Sequence, residues 1–577
     1  MKRFTAAIVI IGCVSSVCVQ AGETVKEEMK RDVVLRALVD ELERGKVGLK
    51  LEDLQRPYFI EYALLDTASA SATAKLGAVT SSNENRSRRL RSSIRVGSYQ
   101  QDNTNFQGDY GSYYCRGRSG GGFGARIPID DDYNAIRQGI WWATDREYKS
   151  VIENYERKLA FMKTKMIEDK PDDFARAEPV VHLEPRLEAS VDLSQLERLA
   201  VVLSEIFREY PAVQSSSVSI SGNGGNRYLV NTEGTRLRTV GLHYTVSIGA
   251  TVQADDGMKL SDSITVYAPE FDQLPSLREL SERCHQMIKR LIDVKSAPPL
   301  EAYTGPVLFD AEAAAAIFSQ RFAREFTGGQ RPVGSQSDPD DFEKKIGKRI
   351  LPRFVNVVDD PTREVINGVP VAGHYLYDDQ GVKVEPLTLV ADGRLQALVM
   401  SRNPSKAFDQ STGHGRGTGS PSSGIGCLVV SGTDTADDEA LKDELIEAVA
   451  DEDLEYGIRV ASLGDVGAGG GRYYYSSYGS RRGRGGGTMP LVMYKVYPDG
   501  REELVRGAEI AQIDLKAFKR MLAVGDRPYV LNTGSGSRGR TVVAPAMLFE
   551  DLDLAKIDRD FDQPPILATP LARPTTQ

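Results

Sequence analysis

The sequence contains few of the residues that form disulfides or bind transition metals. Its 577 residues include five cysteines and five histidines. After the first twenty residues only Cys115, Cys284 and Cys427 remain, far apart and odd in number. A disulfide-stabilised protein would need more cysteines at closer spacing, so the fold must rest on its hydrophobic cores. The three cysteines could form one bridge and leave one thiol free, or could all be buried thiols.

Long apolar runs are also scarce. No segment after the first twenty residues is apolar for long enough to cross a membrane. The early run, Phe4–Val19, follows Lys2 and Arg3, is interrupted by polar residues and ends before small residues, which is the pattern of a secretory signal peptide. We therefore predict a signal peptide over residues 1–21 and a mature chain that is soluble in the periplasm or outside the cell.

A second interpretation of the same segment is a lipid anchor. Ile10–Cys13 loosely resembles a lipobox, in which Cys13 would be acylated and would hold the protein on a membrane surface. The apolar stretch before Cys13 is short for that role. We expect contact with a membrane only if Cys13 is lipidated.

Excess positive charge is absent as well. The formal net charge is -9, and it becomes -11 if Lys2 and Arg3 leave with the signal peptide. An acidic chain has no general electrostatic attraction to nucleic acid or anionic lipid. Two segments rich in arginine, glycine and tyrosine, 108–122 and 467–487, could stack on single-stranded nucleic acid. Because the chain is acidic and exported, we interpret both as surface loops and expect no nucleic-acid partner.

The length predicts more than one hydrophobic core. Ser296–Pro299 has the composition of a linker, so we expect an N-terminal domain over 22–298, a C-terminal domain over 299–560 and a tail over 561–577. Apolar periodicity predicts helices at 29–42, 133–165, 193–210, 277–294, 311–326, 438–450 and 515–523. Alternating patterns predict strands at 57–65, 73–80, 90–99, 307–309 and within 213–252. The expected fold is α+β, with antiparallel sheet dominating the C-terminal domain.

The C-terminal half contains an ordered series of short motifs. A helix over 314–326 leads into Thr327–Gly329, and Gly347–Pro352, Val357–Asp360, Tyr377–Val382, Gly393–Leu395, Thr412–Arg416 and Gly507–Ile510 follow. In this order and spacing, from about Pro306 to about Leu552, they resemble the TldD/PmbA family. The N-terminal half is similar to the family's other domain far more loosely. The resemblance implies a two-domain, metallopeptidase-like protein that acts on unfolded peptides.

The resemblance also implies where a zinc site would lie. Catalytic members carry a His-Glu-x-x-x-His motif on the helix at this position, and a cysteine near the C-terminus completes the site. Here Ser319 replaces the first histidine, Gln320 replaces the glutamate base and Arg324 replaces the second histidine. The late loop, 530–535, reads Val-Leu-Asn-Thr-Gly-Ser and has no cysteine. Glutamine cannot accept a proton near neutral pH, and a permanently charged arginine repels a metal ion.

These replacements are closer to the PmbA, or TldE-like, branch of the family. That branch implies a subunit that lacks zinc and any other cofactor and that pairs with a TldD-like catalytic subunit or with a second copy. Zinc is then expected only in the catalytic partner. Two alternatives stay open: a self-sufficient metallopeptidase with unrecognised ligands, and a secreted binding or structural protein.

No other catalytic motif emerges from the sequence. The five histidines are not at chelating spacings, and the adjacent side chains of Cys284 and His285 would diverge on a helix. Gly117–Gly121 formally matches Gly-x-Ser-x-Gly but lies inside a glycine-rich segment and not at a strand-to-helix turn. We therefore expect no catalytic, cofactor or metal residues in this chain, and structural roles for its histidines.

Overall fold

The structure, a computed structural model, describes most of the chain: residues 25–50, 55–107, 124–167, 169–335, 342–464, 489–510, 513–534, 536, 539–557 and 561–571. The predictions for the signal peptide, Cys13, Cys115 and the two arginine-, glycine- and tyrosine-rich segments lie outside these residues. No helix in the described ranges is both long and apolar enough to span a membrane.

In the described residues, helical residues 25–31 precede seven further α-helices that are distributed along both halves. They are α1 (Val33–Gly48), α2 (Tyr133–Lys165), α3 (Leu193–Glu205), α4 (Leu277–Ser296), α5 (Ala311–Phe322), α6 (Asp438–Asp451) and α7 (Leu515–Lys519). Short 3-10 helices lie at Ile206–Glu209, Phe271–Gln273 and Phe342–Lys345. Acidic or hydroxyl side chains cap several N-termini: Asp132, for example, accepts a hydrogen bond from the Ala135 N–H at the start of α2. The predicted α2 is confirmed at both of its ends.

One seven-stranded sheet organises the N-terminal half. Its strands are β1 (Pro57–Lys75), β2 (Ala78–Val96), β3 (Ala125–Ile127), β4 (Val181–Leu183), β5 (Ser215–Asn231), β6 (Arg236–Gln253) and β7 (Lys259–Ala268). The order is β3-β2-β1-β5-β6, and β4 and β7 pair with successive lengths of the outer edge of β6. Every pairing except β4 with β6 is antiparallel.

The alternating sequence of β5 shows how this sheet obtains one buried face. Val218 and Ile220 are fully buried, whereas the alternating residues Ser217 and Ser219 are partly exposed. Because successive side chains of a strand point to opposite faces, the valine and isoleucine share one face. That face packs against α3 and α4 and forms a core with their apolar side chains.

Two further sheets form the C-terminal half. The six-stranded sheet has the order β13-β12-β9-β16-β23-β22, and the seven-stranded sheet has the order β19-β18-β17-β8-β24-β20, with β21 also paired to β24. In chain order these strands are β8 (Tyr303–Phe309), β9 (Val355–Asp359), β10 (Val365–Ile366), β11 (Val369–Pro370), β12 (Leu387–Ala391), β13 (Arg394–Leu395), β14 (Gly415–Arg416), β15 (Ser422–Ser423), β16 (Cys427–Gly432), β17 (Gly457–Ser462), β18 (Val492–Val496), β19 (Glu502–Val505), β20 (Ala508–Ile510), β21 (Met521–Val524), β22 (Tyr529–Thr533), β23 (Arg540–Ala544) and β24 (Met547–Lys556). The pairs β10–β11 and β14–β15 stand apart. The α+β prediction is confirmed.

Helix α5 occupies the centre of the C-terminal core. Four consecutive alanines, Ala313–Ala316, are buried, and the helix contacts β8 and β17 of one sheet and β22 and β23 of the other. Small side chains let a helix lie close to strands on both sides. Phe318 and Phe322 continue this packing, with ring centroids 4.6 Å apart, and both rings lie near Phe518.

Helix α5 ends four residues earlier than the predicted 311–326. The Phe326 N–H still donates to the Phe322 carbonyl, but the chain leaves the helix there. Both the backbone N–H and the hydroxyl of Thr327 donate to the Arg324 carbonyl, the latter at 2.6 Å. These bonds satisfy the helix terminus within the turn, so Arg324 lies in the turn and not on the helix.

Two other predicted elements differ from the structure. The predicted helix at 515–523 ends at Lys519, because Met521–Val524 form strand β21 against β24. The separate strands predicted at 73–80 and 90–99 belong to one long β1–β2 hairpin that turns at Leu76 and Gly77. Both turn residues have positive φ, 48° and 76°. Two positive φ angles characterise the tight hairpin turns that match the twist of the strands.

The two halves share contacts and one core. Leu491, Val492 and Ile557, from the second half, belong to the core built on β5, β6, α3 and α4. Two ion pairs also join the halves. Arg402 contacts Glu233 at 2.6 Å, and Arg227 pairs with Asp379. The motif around Asp379 therefore holds the halves together.

Candidate functional site

The three positions that correspond to the zinc motif do not form one cluster of side chains. Ser319 is buried at 7% exposure inside the C-terminal core. Gln320 and Arg324 are exposed, the first on the last turn of α5 and the second in the turn that follows. Residues 319 and 324 are five positions apart, as the two histidines of the motif are, but the helix ends before residue 324, so the helical arrangement of that pair is not maintained here.

The late loop lies beside this end of α5. It includes most of strand β22, which pairs with β23 so that Thr533 is opposite Arg540. The Arg540 Nε donates to the Thr533 hydroxyl at 3.1 Å. The Asn532 side chain is hydrogen-bonded at both ends. Its oxygen accepts from the Thr541 hydroxyl at 2.6 Å, and its NH2 group donates to the Pro370 carbonyl at 2.8 Å. Neither polar side chain replaces the absent thiolate.

The charge at this place is positive. Burial lowers the pKa of Arg540, and the charge of Arg324 lowers it further. Within the described chain, neither guanidinium forms an ion pair. Two like charges in a partly buried position repel each other and would repel a cation. We refer below to Ser319, Gln320, Arg324, Thr533 and Arg540 as the degenerate site.

The degenerate site does not fit zinc. Zinc in proteins is held by thiolate, imidazole and carboxylate groups, and two hydroxyls, an amide and two guanidiniums supply none of these. Elsewhere in the described residues, no group of three or more His, Cys, Asp and Glu side chains could hold a metal ion. The degenerate site therefore lacks the side chains that would hold a zinc-bound water.

Arg540 is the member of the degenerate site that the sequence did not reveal. Its place depends on the register of the β22–β23 hairpin, which joins residues seven positions apart in sequence. The only available signal is the glycine-rich turn after Thr533, followed by the β-like run Thr541–Ala544. Pairing those two segments would have placed Arg540 opposite Thr533.

Four histidines have contacts of a structural kind. His414 is fully buried, with Nε2 2.9 Å from Asp359 Oδ2 and Nδ1 2.8 Å from the Thr412 carbonyl. The Tyr210 hydroxyl is 2.7 Å from His285 Nδ1. His182 contacts Glu184 at 3.1 Å, and His374 contacts the Pro361 carbonyl at 2.9 Å.

The remaining histidine and two cysteines lie in apolar surroundings. Burial lowers the pKa of His243, whose ring stacks near that of Tyr267. Cys284 and Cys427 are buried free thiols, so they do not bridge to each other. Burial raises the pKa of each thiol to about 12, and negative charge at Asp359 adds to this for Cys427. Thiols in this state are protonated, and therefore poor nucleophiles, near neutral pH.

Comparisons with known proteins agree on one family. Residues 302–463 match the PmbA/TldA metallopeptidase C-terminal domain. A metalloprotease of Methanocaldococcus jannaschii is 34% identical over 79 residues, which are 14% of this chain and 16% of that relative's length. Residues 302–463, which match the family domain, contain helix α5 and three positions of the degenerate site.

Solved structures share the fold over most of the chain. TldE from Thermococcus kodakarensis aligns with a TM-score of 0.58 at 14% identity, covering 90% of this chain and all of that one. A candidate modulator of DNA gyrase from Bacteroides thetaiotaomicron aligns with a TM-score of 0.55 at 13% identity, covering 91% of this chain and 98% of the other. Residues 302–463 therefore belong to the PmbA/TldA metallopeptidase C-terminal domain family, and most of the chain has the fold of these solved structures.

Proposed function

We propose that this chain is an exported, non-catalytic, peptide-handling subunit of a TldD/PmbA-type metallopeptidase. It would work beside a TldD-like catalytic subunit or as an assembly with further copies of itself. The observation that carries the proposal is the degenerate site, in which Arg324 takes the place of a zinc-binding histidine of catalytic relatives and Arg540 adds a second positive charge near it. Export is inferred from the predicted signal peptide.

The chemistry of peptide hydrolysis is the first support. A zinc peptidase needs a metal-bound water and a general base that removes its proton. Gln320 carries an amide that cannot serve as a base, and the two guanidiniums oppose metal binding. A chain with these side chains is suited to binding a peptide rather than to hydrolysing it.

The position of β22 is the second support. Within the described chain β22 pairs with β23 on one side only, so it is an edge strand. Extended peptides bind such edges through main-chain hydrogen bonds, with little selectivity for sequence. A peptide added along β22 would lie beside the degenerate site, where the arginines favour an acidic or carboxylate group.

The test is reconstitution with a TldD-like homologue that has an intact His-Glu-x-x-x-His motif. Hydrolysis of a reduced, unfolded protein substrate is measured for each chain alone and for the mixture, and zinc is measured by elemental analysis. We expect the isolated chain to be free of stoichiometric zinc and inactive, and the mixture to exceed the homologue alone. Stoichiometric zinc in this chain, removed by a chelator together with hydrolysis, would overturn the proposal.

A further inference from the structure

A cavity of about 680 Å³ lies between the two halves of the molecule. Tyr58, Tyr99 and Arg176 line it from the first half, and Lys383 and Gln410 line it from the second. This volume is within the range of pockets that bind drug-sized ligands, and such pockets are common at domain interfaces. None of the degenerate-site residues lines it, so it is a separate feature.

The wall from the first half is fixed in position. The Tyr58 and Tyr99 rings have centroids 4.7 Å apart, and the Tyr58 hydroxyl donates to Asp102 at 2.8 Å. The Tyr99 hydroxyl donates to Glu233 at 2.8 Å, and the fully buried Arg402 donates to the same carboxylate at 2.6 Å. Side chains held in this way lose little entropy when a ligand binds.

Two cations line the cavity without an ionic partner. The Arg176 guanidinium lies over the Tyr99 ring, 3.9 Å from its centroid. Among the described residues, neither Arg176 nor Lys383 forms an ion pair, and both are exposed. The stacked guanidinium keeps its planar set of N–H donors available, and that set matches the two oxygens of a carboxylate.

The acidic groups of the cavity limit the charge that it can accept. Glu233 is neutralised by Arg402, and Glu178 lies exposed in the lining without a cationic partner. With Arg402 included, three cations therefore face two carboxylates. The net charge of these five side chains is +1, which one carboxylate balances and a ligand with several negative charges exceeds. The aromatic wall suits an apolar side chain next to that carboxylate.

We infer that this cavity binds the free C-terminal carboxylate of a peptide, between Arg176 of the first half and Lys383 of the second. The inference rests on the proposed peptide-handling function and names its ligand. Gln410, whose amide has no hydrogen-bond partner within the described chain, is placed to bond the peptide backbone. Binding across the boundary links the capture of a chain end to the relative position of the halves.

The test is calorimetric titration of the full mature chain with pentaalanine and with its C-terminal amide. We expect amidation, and separately the double variant Arg176→Gln/Lys383→Gln, to weaken binding at least tenfold. Arg176→Lys should recover only part of the loss, because lysine keeps the charge without the planar donors. The matched control is Arg198→Gln/Lys289→Gln, two exposed cations of the first half without ion pairs in the described residues, which should bind as the wild type does.

Each result decides the inference. Equal binding of the amide, unchanged binding by the double variant, or no binding of pentaalanine to the wild type overturns it. Inorganic phosphate that competes as well as the peptide would make the cavity a general anion site and also overturns it. In all these cases, wild-type chain that still stimulates the catalytic homologue leaves the proposed function intact. A wild type that gives no stimulation overturns that function whatever the titration shows.

Discussion

The N-terminal sheet and the degenerate site place arginine in opposite electrostatic surroundings. In the sheet, the fully buried Arg88 contacts Asp66 at 2.7 Å and Asp131 at 2.8 Å. Arg238, almost as buried, contacts Asp32 at 2.6 Å. At the degenerate site Arg540 is partly buried, and the charged side chain that shifts its pKa is another arginine, Arg324.

Physical chemistry makes the first arrangement the ordinary one. A buried charge is costly unless a partner of opposite charge and further hydrogen bonds compensate for it. Arg88 has this compensation, since it also donates to the carbonyls of Pro128 and Asp130. Within the described residues, the guanidinium of Arg540 forms one hydrogen bond, to the Thr533 hydroxyl. The difference teaches that the degenerate site is not optimised for stability, as is common where a surface serves binding.

The largest effect should come from breaking the compensated arrangement. Arg88→Ala leaves Asp66 buried at 6% side-chain exposure with its strongest partner gone. We expect the free energy of unfolding to fall by about 3 kcal/mol, because the buried Asp66 carboxylate then keeps the longer contact with Arg186, at 3.5 Å, as its ion pair. Urea unfolding followed by tryptophan fluorescence measures this, since Trp141 and Trp142 lie on α2 in the same half.

The matched control for that variant is Arg198→Ala. Arg198 is exposed on α3 and has no ion pair within the described chain, so its loss should change stability by less than about 0.5 kcal/mol. Equal losses for Arg88→Ala and Arg198→Ala would remove the contrast between paired and unpaired arginines.

The second effect concerns metal binding at the degenerate site. The triple variant Ser319→His, Gln320→Glu and Arg324→His restores the helix motif but leaves Arg540 in place. We expect no stoichiometric zinc by elemental analysis, because α5 ends at Phe322 and residue 324 lies in the following turn. Adding Arg540→Gln should raise the zinc affinity about tenfold, about 1.4 kcal/mol, because a repelling charge is removed.

Chelator competition compares the two combinations. Equal affinity with and without Arg540→Gln would mean that the geometry of the turn alone, and not the arginine, excludes the metal. One zinc per chain in the triple variant would show that the turn after α5 does not prevent chelation.

Much of the fold could be predicted because local signals and tertiary structure agree. The predicted α2 has the observed ends, since Asp132 caps one end and the apolar periodicity continues to the other. Asp392–Gly393 and Pro498–Gly500 have the composition of turns, and they join β12 to β13 and β18 to β19. The family resemblance in the C-terminal half is confirmed over 302–463.

The differences arise where pairing between distant segments overrides local preference. Residues 81–89 are almost entirely polar and charged, yet they form part of a 19-residue strand because β1 pairs with them throughout. Met521–Val524 continue a helical pattern but pair with β24.

The candidate sites depend on tertiary structure in the same way. Arg540 meets the late loop only through the register of a hairpin. The cavity with Arg176 and Lys383 joins residues separated by more than two hundred positions. No local sequence pattern predicts either the contact of Arg540 with the late loop or the cavity between Arg176 and Lys383.

The smallest expected effect is a change in the free energy of unfolding caused by a substitution at the degenerate site. It tests most directly the comparison between paired and unpaired arginines. Arg540→Gln removes one of two neighbouring like charges, so we expect the free energy of unfolding to rise by about 0.5 kcal/mol. The gain should shrink as salt is added, because screening already weakens the repulsion in the wild type. The control is Arg527→Gln, an exposed arginine 3.9 Å from Asp438 and Asp526, whose loss should give no gain. A fall in stability for Arg540→Gln at low salt would mean that Arg540 is already compensated, and the degenerate site would then resemble the N-terminal sheet.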